Sequence, residues 1–277
     1  MWDTLTHRWL RVPYSLHATI DQRVKRPRAT VLFIHGIGNS GEAWTDVIAA
    51  LPRDVRLVSI DLLGFGKSQR PTWAIYNAKT QARAVLATYL KLRISGQVII
   101  VGHSLGALVA VEIAKRYPLL VKSLVLCSPP FYREDPVKKR MLPSGDKILT
   151  TFYRYIRNNP DDFIKISKVA MRLGMVNKSF SIDRDSAPVY MNALESSIIN
   201  QTSLDDALKL KVPTHVLYGR LDPVVIYKNL RYLANNNPRV RLTTVLAAHE
   251  VQGLFLGAAI KAITEAIDST RPKVLSK

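Results

Sequence analysis

Cysteine is almost absent from this 277-residue chain, and Cys127 is the only one. A single cysteine cannot form an internal disulfide, and it leaves no cysteine cluster for a structural zinc site. Composition is otherwise near average, with 47% apolar and 22% charged residues, which excludes a disordered, collagen-like or low-complexity chain. The length allows one large domain, or one domain with a sizeable insertion.

A long uninterrupted hydrophobic run is also missing. The most apolar stretch, Val98–Ala114, contains His103, Ser104 and Glu112, which a membrane-spanning helix would tolerate only at a high energetic cost. Residues 1–16 carry polar or charged groups every few positions, unlike the apolar centre of a secretory signal peptide. We therefore expect a soluble protein of the cytoplasm without a transmembrane segment.

Acidic residues are few, since 21 Asp and Glu stand against 40 Lys and Arg, and the formal net charge is +19. Such an excess first suggests nucleic acid or an anionic membrane surface as a partner. The basic residues are, however, spread along the chain, with short clusters at 23–28, 138–140 and 271–273. None of these clusters has the interleaved aromatic residues of a single-strand-binding surface. We interpret the excess as a solvated basic surface without a specific nucleic-acid site, which leaves peripheral contact with anionic lipid open.

Short apolar runs alternate with helical patterns along the chain, which predicts βα units and a mostly parallel sheet. The richness of the runs in Val, Ile and Leu is typical of strands covered on both faces. The predicted strands are Ala29–Ile34, Arg56–Ile60, Gln97–Val101, Lys122–Leu126, Thr214–Tyr218 and Arg239–Leu246. The predicted helices are Ala43–Leu51, Asn77–Lys91, Leu105–Arg116, Pro223–Asn235 and Leu254–Asp268. The looser alternation of Arg8–Ile20 predicts an antiparallel hairpin at the sheet edge.

The alternation of strands and helices stops between Pro129 and about Asp206, where polar, basic, helical segments replace it. We predict that residues 129–206 form a helical cap inserted into a core made of residues 1–128 and 207–277. The cap would cover the C-terminal edge of the sheet, where open α/β sheets bind their ligands.

One glycine pattern resembles a dinucleotide-binding fingerprint. Gly36, Gly38 and Gly41 spell G-x-G-x-x-G between a strand and a helix, and Asp61 follows Gly41 by 20 residues. Glu42 stands at the start of that helix, however, where its negative charge would repel a pyrophosphate. We therefore favour turns that need glycine over a nucleotide site.

A second pattern, Gly102-His103-Ser104-Leu105-Gly106, matches G-x-S-x-G and lies directly between a predicted strand and a predicted helix. A tight turn there would strain the backbone of Ser104 and project its hydroxyl above the sheet. The flanking glycines remove side chains that would collide with the turn. A serine hydroxyl becomes a good nucleophile only when a base accepts its proton, so the pattern predicts a histidine and an orienting carboxylate downstream.

Two histidines follow Ser104 in the chain. His215 lies inside a predicted strand, whereas His249 follows the last strand, at an edge from which it could reach the serine. Asp222 follows the preceding strand, which gives the order serine, acid, histidine. Asp222 could instead cap the next helix, and Glu250 is the nearest rival acid. We predict that Ser104, Asp222 and His249 form a catalytic triad.

These motifs, together with His35-Gly36 after one strand and Asp61–Ser68 after the next, closely resemble the α/β-hydrolase superfamily. The resemblance spans about residues 28–268 outside the cap. It implies the α/β-hydrolase fold, with a mostly parallel central sheet, helices on both faces and an inserted helical cap, and it implies no cofactor and no metal. It further implies an oxyanion hole made by the backbone N–H groups of Ile37 and Leu105, with Asp61–Ser68 as a structural turn and with His35 ordering its loop.

The resemblance and the serine nucleophile favour hydrolysis of a small-molecule carboxylic ester with an apolar acyl group. Relatives that act as dehalogenases or epoxide hydrolases carry aspartate at the nucleophile position instead. Phe131, Tyr132, Met141, Met171 and Met175 would either line an acyl pocket or form the cap's own core. An acyltransferase or thioesterase, a cofactor-free haloperoxidase and a non-enzymatic ligand receptor on the same fold stay open as alternatives.

Overall fold

The computed structural model describes residues 2–132, 151, 154–199 and 201–270. Within these residues seven strands form one sheet: β1 (Ala18–Gln22), β2 (Thr30–Ile34), β3 (Arg56–Ile60), β4 (Val98–His103), β5 (Val121–Cys127), β6 (Thr214–Gly219) and β7 (Val240–Val245). Their order across the sheet is β1-β3-β2-β4-β5-β6-β7. β1 runs antiparallel to β3, and the other neighbouring pairs are parallel.

We number these α-helices: α1 (Thr45–Ala49), α2 (Ala78–Lys91), α3 (Leu105–Arg116), α4 (Pro160–Arg172), α5 (Ala187–Ala193), α6 (Ser203–Leu208), α7 (Tyr227–Asn236) and α8 (Leu254–Asp268). Residues 154–158 are also helical. Short 3-10 segments lie at Gly41–Trp44 and Pro118–Leu120, and π-helical segments at Thr4–Trp9 and Leu194–Ile199. α4, α5 and α6 follow one another between β5 and β6, and we call residues 154–199 and 201–208 the inserted helical segment.

The strands alternate between two hydrophobic cores, one on each face of the sheet. In β2, Val31 and Phe33 join the core that contains α1 and α8, whereas Leu32 and Ile34 join the core that contains α2 and α3. All four side chains are buried, because successive residues of a strand point to opposite faces and both faces are covered by helices. The predicted sheet with helices on both faces is confirmed.

Helix α8 shows how one face of the sheet is covered. Phe255, Ala259, Ile263 and Ile267 recur every four residues, which places them on one side of the helix, and all four are buried in the same core. α3 is buried along most of its length, because it contacts the sheet on one side and α2 and α6 on others. This helix begins directly after β4, so its packing fixes the turn between them.

Most predicted strands and helices differ from the structure by one or two residues at an end, and two regions differ by more. No hairpin forms within Arg8–Ile20 in the described structure: the region contains a π-helical segment and one edge strand, β1, because Arg11 has a φ of 55° and Pro13 lacks the N–H that a strand would use. α7 begins at Tyr227 rather than at Pro223, since the residues after Asp222 form a turn.

Parts of three other predictions lie outside the described residues. The predicted cap, residues 129–206, includes positions 133–150, 152, 153 and 200, and the structure describes none of them. Met141 is among these positions, as is the basic cluster 138–140, and the cluster 271–273 also lies outside the described chain.

Candidate active site

Ser104 occupies a strained turn at the C-terminal end of β4. Its φ of 51° and ψ of −116° are uncommon for a residue with a side chain, and such a conformation costs about 1–3 kcal/mol. A side chain at Gly102 would place its Cβ 2.5 Å from the carbonyl oxygen of Gly106, and a Cβ at Gly106 would collide with the Ile34 carbonyl. The Ser104 N–H donates to the Cys127 oxygen at 2.9 Å. The two glycines and this bond together hold the serine at the sheet edge.

His249 and Asp222 meet across the loops that follow β7 and β6. The Nδ1 of His249 lies 2.7 Å from Oδ2 of Asp222, whose side chain is fully buried. Because an ionised carboxylate only accepts hydrogen bonds, Nδ1 carries the proton, and Nε2 remains available as a base. The second oxygen of Asp222 accepts the N–H of Val224 at 2.8 Å, so it stabilises the loop before α7. His215 binds Thr243 instead, at 2.8 Å.

Asp222 and His249 shift each other's pKa, each in the direction that favours the charged form of the side chain. Burial alone would raise the pKa of Asp222, but the hydrogen bond and charge of His249 and the N–H of Val224 outweigh it and lower that pKa. Burial alone would lower the pKa of His249, but the hydrogen bond and charge of Asp222 and the charge of Glu250 raise it. Ser128 places its hydroxyl beside the Asp222 carboxylate and also lowers its pKa, although it is outside hydrogen-bonding geometry. The carboxylate of Asp222 therefore stabilises the protonated, positively charged ring of His249.

Ser104 and His249 line one cavity of about 350 Å³. Their side chains are not joined by a hydrogen bond in the described structure, and in sites without substrate such contacts are often long until the substrate binds. The inserted helical segment supplies most of the apolar wall, with Val176, Phe180, Tyr190, Leu194 and Ile198. This wall gives the cavity its predominantly hydrophobic character.

The predicted lining residues are only partly correct. Tyr132 lines the cavity, and its hydroxyl donates to the Val224 oxygen at 2.9 Å. Phe131 is completely buried in the core and does not line the cavity. Met171 and Met175 are 37% and 68% exposed, so the prediction that they line a pocket or form a core is wrong. Both lie at or beyond the end of α4, on its solvent side.

The backbone around Ile37 approaches the serine closely. A Cβ added to Gly36 would lie 3.2 Å from the Ser104 Cβ, and both Gly36 and Ile37 line the cavity. Leu105 is the first residue of α3, so its N–H has no partner within the helix. Neither the Ile37 nor the Leu105 N–H donates to an acceptor in the described part of the chain. Both are thus available to an oxygen bound next to Ser104.

His103 connects the nucleophile turn to the histidine loop, a contact that sequence reasoning missed. Its Nε2 lies 3.0 Å from the backbone oxygen of His249, and the two rings are 5.0 Å apart. Since a carbonyl only accepts, Nε2–H of His103 is the donor. Burial lowers the pKa of His103, which keeps the ring neutral near pH 7. The contact spans 146 residues of sequence, and no local pattern indicates it.

Glu250 is the acidic residue of the cavity. Within the described structure its carboxylate has no hydrogen bond and no ion pair. Its negative charge acts to raise the pKa of His103, of His249 and of Tyr190. Burial is the larger influence on each of them, and the pKa of His103 is lowered overall. Glu250 therefore brings a carboxylate to the lining of this cavity in a chain with an excess of basic residues.

The glycine pattern that resembles a dinucleotide fingerprint belongs to two loops that are held together by Asp61. The Asp61 carboxylate accepts the N–H groups of Gly41 and Lys67, each at 2.7 Å. Burial would raise the pKa of Asp61, but these bonds lower it. His35 accepts the Leu62 N–H on Nε2 at 2.9 Å, and burial lowers the pKa of His35 to about 4. The spacing between Gly41 and Asp61 thus positions two loops against each other.

No group of three or more His, Cys, Asp or Glu side chains among the described residues is arranged to hold a metal ion. No helix among them is both long enough and apolar enough to cross a bilayer.

Comparison with known proteins gives these observations a family. The family described as alpha/beta hydrolase fold matches residues 29–254. The chain is 34% identical over 111 residues to the Arabidopsis thaliana protein named "Probable lysophospholipase BODYGUARD 4", over 39% of this chain and 27% of that protein. Its matches to four BODYGUARD proteins each span about a quarter of their length.

Two other proteins extend the comparison along the chain. Lipase 3 of Moraxella sp. (strain TA144) is 27% identical over 203 residues, which are 70% of this chain and 63% of that protein. The solved structure of the esterase EaEST from Exiguobacterium antarcticum has a TM-score of 0.75 over 92% of this chain and 99% of that one, at 15% identity, a likeness in fold. With the family match spanning most of its length, this chain belongs to the alpha/beta hydrolase fold family.

Proposed function

We propose that the protein is a serine hydrolase that cleaves carboxylic esters with an apolar acyl group through an acyl-enzyme. One observation carries the proposal: a strained serine and a histidine bound to a buried aspartate line the same apolar cavity. The cavity volume, about 350 Å³, is within the range of small-molecule sites. The esterase and lipase names of similar proteins agree with this chemistry.

In the first half of the reaction, Ser104 Oγ attacks the acyl carbon while Nε2 of His249 accepts the hydroxyl proton. Asp222 holds the ring in the required tautomer and stabilises the imidazolium. The N–H groups of Ile37 and Leu105 bind the oxyanion, and such donors are each worth about 3 kcal/mol in the transition state. His249 then returns the proton to the leaving alcohol as the C–O bond breaks.

In the second half, a water molecule gives a proton to His249 and attacks the acyl carbon of the ester formed on Ser104. Collapse of this second tetrahedral intermediate releases the carboxylic acid, and the proton returns to Ser104. The inserted helical segment acts as the predicted cap, and its apolar wall receives the acyl group. Apolar burial of the acyl chain supplies the binding free energy, because the wall offers few polar contacts.

The proposal is tested with a fluorophosphonate label and a panel of p-nitrophenyl esters from acetate to long acyl chains. The label should attach to Ser104, and Ser104→Ala should abolish labelling and lower turnover about 10,000-fold or more. Ser123→Ala is a matched control, since Ser123 is also buried and its hydroxyl has no hydrogen-bond partner among the described residues. Labelling at another residue, or substantial turnover by Ser104→Ala, would overturn the assignment.

Further assays on the same variants distinguish the alternative functions. Transfer products that accumulate beside the free acid when a competing alcohol is present would identify an acyltransferase. A burst of acylation without further turnover would favour a ligand receptor. Halogenation that depends on bromide and peroxide, and that is lost in Ser104→Ala, would indicate a haloperoxidase.

A further inference from the structure

Large apolar side chains are exposed on one face near the beginning of the chain. Of the four tryptophans, Trp2 and Trp9 are 80% and 74% exposed, and Leu10 is 66% exposed. We define the N-terminal face by its exposed apolar residues: Trp2, Leu5, Trp9, Leu10, Val12 and Ile75. Large exposed apolar patches mark sites that bind a protein or a membrane.

The segment that carries this face is held firmly against the core. The Tyr14 hydroxyl donates to the Asp3 carboxylate at 2.7 Å, and the rings of His7 and Tyr14 stack with centroids 3.7 Å apart. From α2, the Arg83 guanidinium donates to the Arg11 backbone oxygen at 2.8 Å. These contacts use the polar and stacking groups of the segment on its inner side. The tryptophans and leucines are therefore held outward.

The surroundings of the face are basic. Arg8, Arg11 and Arg83 line a groove of about 420 Å³ together with Val12 and Ile75. Asp3 is the one acidic residue in positions 1–20, and it is bound to Tyr14. Residues 69–91, which form the rest of the neighbourhood, contain no Asp or Glu. A partner that covers the face would therefore meet apolar groups and positive charge together.

The face is also connected to the candidate active site. The Tyr76 N–H, next to Ile75, donates to the Asn192 side chain of α5 at 2.9 Å, and the Ser197 hydroxyl donates to the Tyr76 oxygen at 2.9 Å. Leu194, between these two partners, lines the cavity. A surface that contacted the N-terminal face would thus lie beside the helices that form the cavity wall.

We propose that the N-terminal face docks on the surface of an anionic lipid bilayer. Tryptophan favours the membrane–water interface, where its ring sits at headgroup depth, and exposed leucines enter the acyl boundary. Arginines beside them are attracted to the headgroup phosphates of anionic lipids. The combination of exposed tryptophan, arginine and almost no acid matches this partner better than a protein surface. The proposal does not depend on the reaction proposed above.

The test uses vesicles of phosphatidylcholine alone and of equal parts phosphatidylcholine and phosphatidylglycerol. The protein should sediment with the anionic vesicles and much less with the neutral ones, and added salt should release it. Binding should shift tryptophan emission to the blue, and the double variant Trp2→Phe/Trp9→Phe should lose the shift. Trp44 is 1% exposed, and Trp73 is partly buried against the core, so the change in emission reports on Trp2 and Trp9.

Two variants and a control assign the contact to the face. Trp9→Ser/Leu10→Ser and Arg8→Gln/Arg11→Gln should each weaken vesicle binding about tenfold or more. Leu119→Ser is the matched control, because Leu119 is 84% exposed in the short turn between α3 and β5, and it should bind like wild type. Turnover of soluble p-nitrophenyl acetate should be equal in all of them, so docking and catalysis are read separately.

Three results would overturn the proposal. The first is absence of binding to both kinds of vesicle. The second is vesicle binding that neither Trp9→Ser/Leu10→Ser nor Arg8→Gln/Arg11→Gln reduces. The third is a concentration-dependent dimer in light scattering that Trp9→Ser/Leu10→Ser abolishes, which would assign the face to a second copy of the chain.

Discussion

The candidate cavity and the N-terminal face are both apolar, but their charged groups have opposite sign. In the cavity, Glu250 contributes a carboxylate without an ion pair in the described structure. On the face, Arg8, Arg11 and Arg83 surround exposed apolar side chains. The net charge of +19 therefore describes the exterior and not the site. A substrate that enters the cavity and a surface that touches the face experience different fields.

The difference also concerns how far each field is screened by salt. Charges on an exposed face are screened over about 8 Å at physiological ionic strength, whereas charges in a partly buried cavity are screened less. We therefore expect salt to weaken contacts of the N-terminal face and to leave the influence of Glu250 on His249 mostly intact. Three substitutions test this difference between the cavity and the N-terminal face.

The largest effect is expected from Asp222→Asn in the cavity. An asparagine can hold the wrong tautomer of His249, so kcat/KM should fall about 1,000- to 10,000-fold. The base must be neutral to act, and the pKa of His249 is raised in the wild type, so the acidic limb of the wild-type pH profile should lie above pH 6.5. Loss of Asp222 should move that limb to lower pH.

The control for this experiment is Asp54→Asn, an exposed carboxylate that pairs with Arg28. Its pH profile should match that of the wild type. A loss of less than tenfold in Asp222→Asn, or an unmoved acidic limb, would show that His249 does not depend on this carboxylate.

A smaller effect is expected from Glu250→Gln, which removes the negative charge of the cavity. The ratio of kcat/KM for an anionic ester to that for a neutral ester of the same length should rise several-fold, because charge repulsion at this range is worth about 1 kcal/mol. The acidic limb should also move to lower pH, since Glu250 helps to raise the pKa of His249. Glu265→Gln, on the outer side of α8, should leave the ratio unchanged, and an unchanged ratio in Glu250→Gln would refute the repulsion.

The smallest effect is expected from Tyr14→Phe beneath the N-terminal face. The phenylalanine keeps the stacking on His7 but loses the hydrogen bond to Asp3, so the free energy of unfolding should fall by about 0.5–1.5 kcal/mol. Urea denaturation measures this change, and protease cleavage within residues 2–12 should become faster. Tyr227→Phe, whose ring is 45% exposed, is the control. Equal cleavage in both variants would mean that Asp3 does not hold the segment.

The sheet could be predicted well because its strands are buried on both faces. β3 matches the predicted Arg56–Ile60 residue for residue, and all five of its residues are buried. The edge was harder: Pro13 and the positive φ of Arg11 interrupt a strand pattern that Arg8–Ile20 only loosely shows. The start of α7 was also missed, because the side chain of Asp222 binds the N–H of Val224 and so holds the chain in a turn.

The candidate site could be predicted only where its residues follow strand ends. Ser104 and Asp222 each lie just after a strand, so topology alone brings them to one edge. His103 acquires its importance from a hydrogen bond to the His249 loop, and Glu250 from its charge near His249, and no spacing in the sequence reveals either. The sequence shows that Met171 and Met175 are apolar but not which way they point, and in the folded chain Phe180 and Leu194 line the cavity instead.

The buried thiol of Cys127 can report local opening of the structure. It ends β5 opposite His103, and its carbonyl accepts the N–H of Ser104. The thiol is completely buried, and burial raises its pKa to about 12, so an alkylating reagent meets almost no thiolate in the closed state. Alkylation must wait until the core beneath α8, in which the thiol is buried, opens. The rate of thiol alkylation under native conditions therefore measures how often the core next to the nucleophile turn opens, without any label introduced by mutation.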